Sequence, residues 1–267
     1  MKNERFARWY ACSLCEQKYH GVVRCALGWA CWKTYLGRPE ADVARMSAMT
    51  ELGNGLNDAD HGEDALSVRE AQLSLARRLG ASEYDILATQ GNVASTYHKL
   101  QRHEDAFRTY RDVYSGFLRL RGEEHEMTIL AAGNYVRCLR RLRHFAEAKS
   151  LLRKMAPVAR RVLGEGSEIT LRMRWNYAAA LYQADGATLG DLREAVTTLE
   201  DTERTARRVL GGAHPITKGI EREVTMSRAA LRAREDTAPG GDVNAMREAM
   251  AAMTAGDAQE GSKLTTK

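Results

Sequence analysis

Between residues 91 and 121 apolar and polar positions alternate with a helical period. Val93, Ala94 and Tyr97 fall at i, i+1 and i+4, one stripe of a 3.6-residue turn. After the polar stretch HKLQRHED a second stripe runs from Ala106 through Tyr110, Val113 and Phe117 to Leu120. The pattern predicts two antiparallel helices joined by a tight turn. It also recurs. LARRLG ends at Gly80, FLRLRG at Gly122, ARRVLG at Gly164 and ARRVLG at Gly211, with spacings of 42, 42 and 47 residues. Ahead of each lies a small residue in a common frame: Ala65, Ala106, Ala148 and Ala195. Ahead of that come LGNGL (52–56), GNVASTY (91–97), GNYVRCL (133–139) and WNYAAAL (175–181). Three landmarks in fixed order, repeated four times, define a helix-pair repeat.

A chain of such pairs predicts an all-α fold, a right-handed α-solenoid in which each unit buries its stripe against the next. Glycine at each repeat end suits a helix C-cap in a left-handed conformation. Pro157 lies inside a predicted second helix and is expected to bend or break it. Residues 216–234, ITKGIEREVTMSRAALRAR, form one more amphipathic helix, as expected for a C-terminal cap. The expected organisation is a Cys/Trp-rich segment over 1–40, four repeats plus capping helix over 41–234, and a disordered acidic tail over 235–267. Within that tail DVNAMREAMAAM (242–253) can form a short helix.

The repeat resembles the tetratricopeptide repeat. Leu52, Gly53, Leu56 and Ala65 fall on its pattern, followed by Val93, Ala94, Tyr97, Ala106 and Tyr110. The later units supply Tyr135, Val136, Leu139, Ala148 and Leu152, then Tyr177, Ala178, Leu181, Ala195 and Leu199. The 42-residue period and the linkers GEEHEMT and GGAHPIT are similar to the kinesin light chain subclass, over residues 42–234. The coiled coil that joins such chains to a motor has no counterpart here, so the resemblance does not extend to motor attachment.

The first helices carry Asn92, Asn134 and Asn176 in register, two residues before the small or β-branched landmark. A carboxamide can donate to and accept from an extended peptide backbone. The resemblance implies that use, whereas the residues alone also allow bonds to neighbouring backbone. On the same face fall Lys99, Arg137, Arg140, Arg141 and Arg172, with Trp175 and Tyr182 as flanking apolar walls. Arginine forks pair with carboxylates, so an acidic peptide or a free C-terminus is the expected partner. A solvated charged face is the alternative reading of the same cluster.

Composition narrows the classes. The chain has 267 residues, 44% of them hydrophobic, which is enough for a packed core. No run approaches the roughly 20 apolar residues of a membrane span, and the basic start MKNERFARWY leads into no apolar signal segment. A cytoplasmic protein is expected. Net charge is +5, unevenly spread and without a long single-sign block, which permits an acidic partner without demanding nucleic acid.

Four of the five cysteines lie within the first 31 residues. Cys12, Cys15, His20 and Cys25 have the spacing C-x2-C-x4-H-x4-C, with Cys31 as an alternative ligand. It resembles a zinc knuckle in ligand order, with Glu16 and Tyr19 where that family carries glycine. Such a site would hold a structural zinc, and the corresponding alternative function is binding of single-stranded RNA with the repeats as docking platform. The other reading is a small apolar cap with reduced, buried thiols packed beside Trp9, Trp29 and Trp32. Cys138, in a first helix, reads as packing. No Walker loop, GxSxG elbow, HExxH or paired-carboxylate motif occurs, so neither catalysis nor a required cofactor is expected. His125 and His214 repeat a linker position and read as structural.

Overall fold

Each helix begins and ends where its local chemistry dictates. A computed structural model describes residues 4–237, and among them the secondary structure is helical apart from turns and one isolated bridge pair, Ala11 with Lys18. The helices are α1 (Glu4–Ala7), α2 (Gly21–Tyr35), α3 (Val43–Asp58), α4 (Gly62–Arg78), α5 (Glu83–Lys99) and α6 (His103–Arg121). Then follow α7 (Glu126–Arg141), α8 (Phe145–Leu163), α9 (Glu168–Tyr182), α10 (Leu189–Leu210) and α11 (Pro215–Thr237). The tail beyond Thr237, including the helix expected over 242–253, lies outside the described residues. No described helix is long and apolar enough to cross a membrane.

First helices start on capping side chains. The Asp42 carboxylate accepts from Ala44 N at 2.7 Å, and Ser82 Oγ accepts from Asp85 N at 3.2 Å. The linker histidines do the same work: Nδ1 of His125 accepts from Met127 N at 3.2 Å, and Nδ1 of His214 from Ile216 N at 3.3 Å. Each satisfies an amide that the first helical turn cannot. Second helices end at Gly122, Gly164 and Gly211, with φ of 77°, 85° and 85° and ψ of 176°, 160° and 159°. Gly80, at φ of 65°, makes the left-handed cap expected from the sequence, with Gly80 N donating to Arg77 O and Ala81 N to Ala76 O, whereas these three take an extended positive-φ conformation open essentially to glycine alone. The turns inside the pairs instead place Asp60, Gln101 and Arg143 at φ of 64°, 61° and 61°.

The chain divides into two compact units, Met1–Asn176 and Tyr177–Lys267, the division falling within α9. In the first unit the pairs α3/α4, α5/α6 and α7/α8 pack in succession. Leu87, Val113, Phe117 and Ala131 form one core cluster, closed by Tyr84, Tyr114 and Leu120. Each fully buried side chain of this size contributes about 1.5–3 kcal/mol. Residues 1–40 belong to this same unit. Cys31, Tyr35 and Ala48 form a cluster with Phe6, Trp9 and Trp32, and Cys25 packs on Leu52, Leu56 and Ala65. The crossing of α2 on α3 is close because both helices present glycine. A Cβ on Gly28 would lie 2.8 Å from Glu51 O, and one on Gly55 would lie 2.7 Å from Arg24 O.

In the second unit α10 packs on α11, with Leu192, Ala195, Leu199, Ile216, Ile220 and Val224 buried. The capping box of Thr188 and Asp191 starts α10. The expected break at Pro157 does not occur: α8 runs unbroken from Phe145 to Leu163. Leu152, Met155, Val158 and Ala159 are all buried on this helix, and that packing outweighs the one backbone bond the proline removes.

Candidate peptide-binding face

The first helices α5 and α7 share a Gly-Asn frame, Gly91-Asn92 and Gly133-Asn134. Asn92, Asn134 and Asn176 are all half-buried. Nine residues before the positive-φ turn residue stand Asn92 (before Gln101) and Asn134 (before Arg143), and in α3 that position, before Asp60, is Glu51, with Asn54 three residues further along. Two of these carboxamides already accept a hydrogen bond. Asn54 Oδ1 accepts from Arg69 Nη2 at 2.8 Å, and Asn176 Oδ1 accepts from Arg140 Nη1.

The expected basic cluster separates into two kinds. Lys99 pairs with Asp60 at 2.8 Å, and Arg172 with Glu168 at 3.7 Å, so each already faces a carboxylate. Arg137 and Arg141 face neutral groups. Arg137 Nη2 donates to Tyr110 Oη at 3.2 Å, and Arg141 donates to Gln101 Oε1 at 3.2 Å and to His103 Nε2 at 3.3 Å. Between them sits His98, whose imidazole is lowered to about 4 by burial and by the charge of Arg137, and then by His103 and Arg141. Cys138 Sγ lies 3.6 Å from His98 Nδ1, and burial pushes that thiol up to about 11. A neutral thiol beside a neutral imidazole is a packing contact and not an activated nucleophile. Trp175 is half-buried, its indole N–H enclosed without a hydrogen-bond partner. Tyr182 belongs to the second unit, where its hydroxyl donates to Glu223 Oε1 at 2.9 Å.

The cysteine segment forms a tight turn closed by the Ala11–Lys18 bridge pair. Cys12 N donates to Gln17 O and Glu16 N to Cys12 O, both at 2.9 Å, while Glu16 itself takes φ of 58° where the knuckle family uses glycine. Amides of Cys15 and Leu14, and the Cys15 thiol, bond to Cys12 and lower its thiol to about 7. The other expected ligands lie apart from this pair. His20 is exposed, 3.9 Å from Asp58, Cys25 packs on the first repeat, and burial raises buried Cys31 to about 12. Among the described residues no three His, Cys, Asp or Glu side chains gather in a metal-binding group.

This turn and the residues after it wall a cleft of about 520 Å³ on the first-helix face. Tyr10, Lys18, Tyr19 and His20 form one side, and Asn54, Asn57, Asp58, Asn92 and Ser95 the other. Arg24 holds the cysteine segment there, donating to Trp9 O at 3.2 Å and to Glu51 Oε2 at 2.5 Å. At the cleft also lies Arg69 of α4, only 4% exposed. Its Nη1 donates to Asn92 O at 2.6 Å and to Thr96 Oγ1, and burial lowers the guanidinium to about 10, still protonated at neutral pH.

Residues 85–157 match the tetratricopeptide repeat family model, and the chain has the fold of kinesin light chain-like tetratricopeptide repeat proteins. A Podosopora anserina kinesin light chain-like protein with nearly identical TPR-like repeats is 20% identical, covers 75% of this chain and 91% of its own, and superposes with a TM-score of 0.60. BtubC (BKLC) from P. vanneervenii is 15% identical, covers 80% of this chain and 92% of its own, with a TM-score of 0.56. The apo form of RapI is 14% identical, with coverages of 79% and 77% and a TM-score of 0.52. No curated protein matches the sequence.

Proposed function

We propose that the protein is a non-enzymatic interaction scaffold that holds an extended, acidic peptide segment on the first-helix face of its first unit. The observation that carries this reading is the register of Asn92 and Asn134 on α5 and α7 beside two arginines whose partners are neutral. Carboxamides on successive helices offer one donor and one acceptor each to a peptide backbone. A ligand carboxylate can replace the Tyr110 hydroxyl on Arg137, or Gln101 on Arg141, without breaking an ion pair, and charge-assisted bonds are the stronger ones. A reducing compartment, the cytoplasm, suits the free thiols of Cys31 and Cys138 in the core.

Fluorescence anisotropy with a pool of acidic, aromatic-containing peptides tests the reading. The wild-type protein is expected to bind with micromolar saturation, and a variant carrying Asn134→Ala with Arg137→Glu is expected to lose binding while keeping its helical circular dichroism. A folded wild-type protein that binds none of the pool would sink the proposal.

A further inference from the structure

The five thiols of the chain are divided by where the fold puts them. Cys31 and Cys138 are wholly buried, and Cys25 is half-buried against Leu52, Leu56 and Ala65. A reagent reaches the buried two only through local unfolding. Cys12 and Cys15 stand outside the core: Cys15 is exposed, Cys12 is half-buried, and Leu14 between them is 93% exposed.

The tight turn brings this pair together. The Ala11–Lys18 bridge closes its base, Cys12 N donates to Gln17 O at 2.9 Å, and Glu16 N donates to Cys12 O at 2.9 Å. Glu16, at φ of 58°, completes the reversal. A turn holds residues three apart with their Cα atoms within about 7 Å, close to the span that a disulfide bridges. The side chains already meet, since the Cys15 thiol donates to Cys12 Sγ. Three further donors converge on the same sulfur: the amides of Leu14 and Cys15, and the Tyr19 hydroxyl. Such donors stabilise negative charge on the atom they surround. One sulfur is thus held as a nucleophile, with a second thiol beside it and open to solvent. Among the described residues no third His, Cys, Asp or Glu gathers with them, so the pair has the chemistry of a dithiol.

We infer that Cys12 and Cys15 form a reversible oxidation site, a dithiol that closes to an intrachain disulfide by exchange with a low-molecular-weight disulfide such as oxidised glutathione. This goes beyond the peptide-binding reading and does not depend on it. The Cys12 sulfur, as thiolate, attacks one sulfur of the small disulfide, whose S–S bond breaks and releases a small thiolate. Cys15 passes its proton to that thiolate, and its sulfur attacks Cys12 Sγ. The mixed disulfide breaks, and the second small thiolate leaves and takes up the proton that Cys12 had given to solvent. Two protein thiols are oxidised by two electrons, and one small disulfide is reduced to two thiols. Closure neutralises the sulfur to which Tyr19 donates, on the turn that leads into the cleft wall.

The test equilibrates the folded full chain in glutathione buffers from reduced to oxidised, quenches with acid, alkylates the remaining thiols in denaturant and maps the peptides by mass. Trypsin separates the candidates. Cleavage after Arg8 and Lys18 releases Cys12 and Cys15 in one peptide, 9–18, and cleavage after Arg24 and Lys33 releases Cys25 and Cys31 in another, 25–33. At the oxidised end peptide 9–18 is expected to lose two hydrogens and escape alkylation, and to regain both thiols in reduced glutathione, while peptide 25–33 stays alkylated throughout. Cys15→Ser should stop the reaction at the mixed disulfide on Cys12. Cys12→Ser should form its adduct about tenfold or more slowly than Cys15→Ser, because the amides of the turn converge on Cys12. Failure of peptide 9–18 to close in excess oxidised glutathione, with circular dichroism showing a folded chain, overturns the proposal. Oxidation of peptide 25–33 ahead of it, pairing of Cys12 or Cys15 with Cys25, or equal adduct rates in the two variants does the same. So does a purified chain that retains zinc and keeps both thiols protected until a chelator removes it. The decisive arm uses the unsubstituted chain, so a variant that fails to fold leaves the outcome readable.

Discussion

Single side chains in the first unit differ sharply in reactivity although they share a chemical type. Cys12 and Cys31 both belong to the cysteine-rich start, yet amide hydrogen bonds draw Cys12 down to about 7 while burial drives Cys31 up to about 12. The thiolate is the nucleophile, so iodoacetamide should label Cys12 first, with a rate that rises through pH 7. Cys31 and Cys138 should stay unlabelled until the protein is unfolded. Peptide mapping after brief alkylation reads the outcome, and labelling of Cys31 ahead of Cys12 would contradict the assigned environments. Spacing alone made all of the N-terminal cysteines equivalent candidates. What separates them is whether the helix from Gly21 turns the thiol into the core, as it does for Cys31, or whether the residue sits on the exposed turn. Arg69 was hidden for a related reason: matching landmarks rewards agreement between repeats, and α4 carries this arginine at the position of Tyr110, Leu152 and Leu199 in the other second helices.

Elements show the same split between what periodicity reveals and what packing decides. The 3.6-residue stripes correctly placed α5 and α6, and linker histidines proved to be helix caps for a definable geometric reason. Pro157 does not break α8, because local propensity carries less weight than a helix face with four buried residues. The α2–α3 crossing was not legible, because Gly28 and Gly55 lie on separate helices and their fit is a contact in space. They give a paired prediction. Gly91→Ala in α5 meets nothing nearer than Val113 Cγ1 at 3.9 Å and should stabilise by up to about 1 kcal/mol through helix propensity. Gly55→Ala gains the same propensity but places its Cβ 2.7 Å from a backbone oxygen of α2, and should destabilise by about 1–3 kcal/mol. Chemical denaturation of the two variants measures the difference, and equal stabilisation by both would mean that α2 is not held closely on α3.

At the scale of the whole molecule, charge is largely settled within the chain, and stability should therefore depend on pH. His98 is packed against Arg137, His103, Arg141 and Cys138, and its proton affinity is lowered in the folded state. Between the ordinary histidine value near 6.5 and about 4 the unfolded chain binds a proton that the folded one does not, so stability falls as pH falls through that window. Asp60 and Glu221, lowered by hydrogen bonds from Lys99 and Lys218, add a further loss only below the usual carboxylate range. Thermal melts from pH 7 to 4.5 should show a midpoint dropping by a few degrees, with a shallower slope in His98→Gln. An unchanged slope would place the acid sensitivity elsewhere.

The close seat of α2 on α3 bears on how such a chain can be cut and recombined. Arg24 ties Trp9 to Glu51, Cys25 fills the space beside Leu52 and Leu56, and two glycines let the backbones meet. A fragment beginning after Glu40 would lose the partner of those surfaces together with one wall of the cleft. The cysteine segment is therefore not a bead on a string but a fitted part of the first unit, and a proteolytic nick between Tyr35 and Val43 should leave two fragments that still travel as one.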